Sequence, residues 1–80
     1  MVGLNPITAA RKRAGRSRGN LAILLRVSVS FVSALERCEL TLTPDRAEAI
    51  GKYLNTDAGK LLQAHKRHRE DLRRELVSAS

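Results

Sequence analysis

Eighty residues with a formal charge of +7 and a pI near 10.8 make one small, strongly basic unit, and a chain of this length buries only about 60% of the surface its unfolded form exposes. Apolar side chains account for 42% of the chain and aromatics for 2%, namely Phe31 and Tyr53, a palette that favours helices built from Leu, Ile, Val and Ala. The lone Cys38 excludes an intrachain disulfide and points to a reducing, cytoplasmic compartment; the apolar run Leu21–Leu25 is far too short to cross a membrane, and the amino-terminal stretch lacks the order of a signal peptide.

The first predicted helix opens with Asn5 as N-cap and Pro6 at the first helical position. Ile7, Ala10 and Ala14 share its inner face, Gly15 ends it, and Arg11, Lys12 and Arg13 load its other side with charge. Ser17 can cap a second helix running to about Arg26, with Leu21, Ala22, Leu24 and Leu25 forming an apolar face.

The next stretch, VSVSFVSALE at 27–36, has two competing periods. Val27, Val29 and Phe31 alternate with serines as in a half-buried strand, whereas Val32 and Leu35 stand three apart as in a helix. A single strand without a partner would leave its backbone unsatisfied, so a third helix capped by Ser28 is expected, with Val32 and Leu35 inward. Thr43 and Pro44 start a fourth helix with Asp45 in its first turn, Ala47, Ile50 and Leu54 inward and Asn55 at its end. A longer fifth helix occupies 56–80, where Leu61, His65, His68, Leu72 and Leu76 recur at spacings of three and four.

No acidic residue precedes Glu36, so Arg11, Lys12, Arg13, Arg16, Arg18 and Arg26 face one another without carboxylates nearby in sequence. Such self-repulsion makes sense if phosphates neutralise it. Two short helices joined by a tight turn, the second opening with small polar side chains, also suit insertion of one helix into the DNA major groove while the other braces it.

The segment from about 6 to 64 resembles the lambdoid Cro and repressor type of helix-turn-helix domain, also called the xenobiotic-response-element type. Arg11, Ser17, Leu21, Ala22, Val27, Val32, Ser33 and Glu36 carry the resemblance, with spacings that fit without a gap. It implies an all-α, five-helix domain over 1–64 followed by a helical extension over 65–80. It also implies that the third helix, about 28–37, is the recognition helix and that Arg11 pairs with Glu36. Carried over by position, Val29, Ser30, Ser33 and Ala34 face base edges, and Ser28 and Arg37 contact phosphates. Ser17 and Arg18 suit a phosphate at the positive end of the second helix, with Arg18 standing where the family usually has glutamine. Arg13 and Arg16 could add further phosphate contacts. Arg26 and Cys38 replace glycines usual in the family, which puts the two connecting turns in question.

The tail pattern predicts homodimerisation through Leu61, His65, His68, Leu72 and Leu76. The two histidines lack a second ligand cluster, so no metal and no cofactor are expected. GRSRG at 15–19 matches a hydrolase nucleophile elbow only literally, since that motif requires a strand-to-helix turn in a large sheet. The expected protein is therefore a non-enzymatic bacterial or phage transcriptional regulator, most simply a repressor, binding an inverted-repeat operator in double-stranded DNA as a dimer. The rival readings are an antitoxin-like module whose C-terminal helix binds a small protein, and a binder of nucleic acid without sequence preference.

Overall fold

The computed structural model describes residues 5–79, with side chains described as far as Leu76; the first four residues and Ser80 of the two expected units lie outside the described residues. Five helices follow one another: α1 (Pro6–Arg13), α2 (Arg18–Leu25), α3 (Val29–Glu36), α4 (Pro44–Leu54) and α5 (Ala58–Ala79). No strand occurs among the described residues, and the ambiguous stretch at 27–36 is helical from Val29. No single described helix is long and apolar enough to cross a membrane.

Each helix starts on a side-chain cap, because the first N–H groups of a helix have no partner of their own. Asn5 accepts from the N–H of Ile7, Ser28 from Phe31 and Thr43 from Arg46. Ser17 and Asn20 cap α2 reciprocally, each side chain accepting from the other's backbone N–H. At the start of α5, Asp57 accepts from the N–H of Lys60 at 2.8 Å.

The first four helices also end alike. Gly15, Arg26, Cys38 and Asn55 take left-handed φ angles of 67°, 57°, 60° and 54°. In every case the next residue's N–H bonds back five positions: Arg16 to Arg11, Val27 to Ala22, Glu39 to Ala34 and Thr56 to Gly51. Glycine occupies this left-handed position only once. The turn at Arg26 therefore keeps the shape that glycine would favour and carries the strain of a side chain there, about 1 kcal/mol. α1 ends at Arg13 rather than at Gly15, and Ala14, expected inward, is exposed as its C-cap.

The core is aliphatic. Ile7, Leu21, Val32, Leu35 and Ile50 are almost fully buried, with Ala10, Ala22, Leu42, Ala47, Leu54 and Leu61 around them. α4 and α5 form the most extensive helix pairing, and Gly51 makes their junction possible. A Cβ there would lie 2.8 Å from the Thr56 carbonyl oxygen and 3.3 Å from the Ala58 backbone. The molecule measures 37 by 24 by 21 Å, and the 22-residue α5 is by itself about 33 Å long.

Candidate nucleic-acid interface

α2 and α3 are separated by only the three residues Arg26–Ser28, and their axes turn by 109° across that break. Val27 closes the corner by packing on the core. α3 then divides cleanly into two faces. Val32, Leu35 and Glu36 are buried; Ser28, Val29, Ser30 and Arg37 are exposed, and Ser33 and Ala34 partly so. Val29 is 50% exposed, and Ile23 on α2 is 79% exposed. Ser17 and Ser28 each use the hydroxyl oxygen to accept from a helix N–H, which leaves their hydroxyl protons available to donate outward.

Glu36 fastens this pair of helices to the rest of the molecule. Its buried carboxylate accepts from Thr8 Oγ1 at 2.6 Å, from Arg11 Nε and Nη2 at 3.2 Å each, and lies 3.4 Å from Arg18 Nε. Burial alone would push the Glu36 carboxyl above its ordinary value; the Thr8 and Arg11 hydrogen bonds and the charges of Arg11 and Arg18 reverse this and hold it below 4.5. The contact between Arg11 and Glu36 joins α1 to α3, with Arg11 Nη1 also donating to the Arg16 carbonyl at 3.1 Å. Thr8 lies one turn before Arg11 on the same helical face, a spacing from which its role could have been read.

The expected phosphate contacts fall into distinct settings. Arg13 is exposed at the end of α1. Arg18 is half-exposed and shares Glu36 with Arg11, so part of its charge is spent inside the protein. Arg37 is exposed but pairs with Glu39. Arg16 stacks over the Tyr53 ring, 5.0 Å from its centroid. Arg46, in the first turn of α4, stacks in the same manner over Phe31 at 4.7 Å. Sequence reading passed over Arg46, although a positive side chain in a helix's first turn runs against the helix dipole and signals some other role.

The tail residues separate into two groups. Leu61 and His65, expected at a partner seam, are buried in the chain's own core. They lie in the core rather than at a seam for a tertiary reason: α5 packs against the end of α3, where His65 Nε2–H donates at 2.9 Å to the Leu35 carbonyl, which also accepts from the Cys38 N–H. Asn5 joins the same cluster, donating from Nδ2 to Cys38 Sγ at 3.0 Å. Burial pushes the Cys38 thiol above its ordinary value of 9.0, against the opposing pull of Asn5 and Arg69, so it stays protonated. α5 thus runs unbroken through residue 64, and its first half belongs to the core. His68 and Leu72 are only partly buried and Leu76 is 73% exposed. Leu72 and Leu76 line a groove of about 610 Å³ with Arg37, Cys38, Glu39, Arg69 and Arg73, and Arg69 ties the groove to the preceding loop by donating to Thr41 Oγ1 at 2.8 Å.

No family model, curated protein or solved structure matches this chain.

Proposed function

We propose that this chain is a DNA-binding regulator of the helix-turn-helix kind, in which α3 enters the major groove of double-stranded DNA and α2 braces it. The observation that carries the reading is the 109° corner between α2 and α3 across three residues, within the 90–120° span and short-turn length of such motifs. The resemblance of 6–64 to the Cro and repressor type points the same way. On this reading Val29, Ser30, Ser33 and Ala34 meet base edges. Val29 can pack on a thymine methyl, and the serine hydroxyls donate or accept with weak discrimination. Ser17, Arg18, Ser28, Arg37, Arg13 and Arg16 meet the phosphate backbone, where each neutralised phosphate releases counterions.

A two-fold pair of chains would read an inverted repeat with half-site centres about 34 Å apart. Pairing is assigned to the distal part of α5, where Leu72 is partly and Leu76 largely exposed. On this reading occupancy of the operator is itself the regulatory event, with repression by exclusion of polymerase as the simplest outcome.

Selection of bound duplexes from a random pool tests the proposal. The expected result is one recovered motif with two-fold symmetry, which shifts when Val29 is replaced by Ala. Recovery of no enriched sequence, with binding that depends on salt alone, would favour a binder without sequence preference. The exposed Leu76 and its groove support one other reading, a module that captures a small protein; co-purification of such a partner, lost in a Leu76→Glu variant, would favour it.

A further inference from the structure

We infer that Arg46 is an additional anchor for a DNA backbone phosphate, pre-positioned by Phe31 at the entrance of α3; the inference rests on the duplex-binding function proposed above. The guanidinium carbon of Arg46 sits 4.7 Å from the Phe31 ring centroid. Phe31 has no nitrogen or oxygen acceptor in its side chain, so this contact holds the guanidinium charge without taking up its five N–H donors in ordinary hydrogen bonds. The ring therefore fixes where the charge stands without consuming its donors. No ion pair involves Arg46 among the described residues: Glu48, two positions on, pairs instead with Lys52 at 3.4 Å.

Beyond the Phe31 ring, no ion-pair partner among the described residues favours a cation at this position. The Arg46 N–H is bonded to Thr43 Oγ1 in the first turn of α4, where a positive side chain opposes the helix dipole. An approaching phosphate would reverse that sign, because a planar fork of donors held on a rigid ring matches phosphate oxygens with little further loss of side-chain freedom. The placement also matters. Phe31 is in the first turn of α3, next to Ser30 and two residues from the exposed Val29. A strand of duplex laid against those residues would bring its phosphates along the edge that Phe31 and Arg46 form. Tyr53 lies seven residues after Arg46 on the same side of α4 and carries Arg16, so α4 takes part in two guanidinium–ring contacts with other segments, supplying the guanidinium in one and the ring in the other.

The test measures affinity for a 25-base-pair duplex of mixed sequence across a range of salt concentrations, comparing the parent with Arg46→Gln and Arg46→Lys. Glutamine keeps a polar side chain of similar helix propensity but removes the charge. It should lower the slope of log affinity against log salt by about 0.9 for each chain bound, the share of one phosphate per chain, whereas lysine should keep the slope. A parent slope retained in Arg46→Gln would overturn the inference while leaving the function intact. Absence of salt-dependent duplex binding by the parent would instead remove the function on which the inference rests. Thermal melting of each variant confirms that folded proteins are compared, and Phe31→Leu supplies an independent arm: loss of the ring should weaken binding several-fold with the slope unchanged, and unaltered affinity would count against the role given to the ring.

Discussion

Arg11 reaches from the last turn of α1 to Glu36 at the end of α3 and holds it by two hydrogen bonds of 3.2 Å, Nε to Oε2 and Nη2 to Oε1. With the two side chains only 11% and 3% exposed, removal of either leaves the other charge in a poorly solvated site. Arg11→Ala should cost about 3 kcal/mol, at the lower end for a broken buried pair, because Thr8 and Arg18 still face the carboxylate. Urea unfolding of the two proteins gives the difference directly; a loss below about 0.5 kcal/mol would mean that the contact contributes no more than a surface pair.

The same carboxylate sets an acid limit. Its folded pKa is depressed below 4.5, so the stability it contributes is fully present above that value and is lost as pH falls through the folded pKa. Glu36→Gln has no such proton to take up. Thermal midpoints from pH 7 to pH 3 should therefore fall more steeply for the parent than for the glutamine variant, although the variant starts lower at pH 7. Parallel curves would show that other carboxylates govern acid unfolding.

Backbone conformation makes opposite predictions at three positions. Arg26→Gly should stabilise the protein by about 1 kcal/mol, because Arg26 is exposed and its left-handed φ of 57° is relieved by losing Cβ. Cys38→Gly relieves the same strain at φ 60° but removes a buried side chain and the acceptor of the Asn5 amide, so no gain should appear. Gly51→Ala should destabilise by roughly 1–3 kcal/mol, since the new methyl meets the Thr56 carbonyl at 2.8 Å. Calorimetry on the three variants checks the order Arg26→Gly above Cys38→Gly above Gly51→Ala.

Self-association through the tail should depend on Leu72 and Leu76 and not on Leu61, which the chain has already buried. A protein with both Leu72 and Leu76 replaced by Glu should keep its helical circular-dichroism signal and sediment as a monomer, with the parent sedimenting as a dimer. Dimers in both, or a parent that is monomeric at tens of micromolar, would move the pairing surface elsewhere.

Helix positions and their caps were legible in the chain itself. Asn5, Ser17, Ser28 and Thr43 act within two or three residues of their own positions, and a local hydrogen bond of that kind can be read from residue type and spacing. The inner faces of α3 and α4 followed for the same reason, since one helical period decides which side chains share a side. Even the contest between strand and helix at 27–36 was settled by the absence of any other segment that could pair with a strand.

What the sequence left undetermined were meetings between residues distant along the chain. Spacing placed Leu61 and His65 in one stripe with Leu72 and Leu76, but only the packed structure shows where along α5 the body ends and the uncovered stripe begins. The Leu35 carbonyl that claims His65 is 30 residues away. Likewise, charge counting could assemble the basic first half, yet it could not tell that Arg18 turns partly toward Glu36 or that Arg46 comes to rest on Phe31. Periodicity fixes a face, whereas the angle at which two helices cross fixes what that face touches.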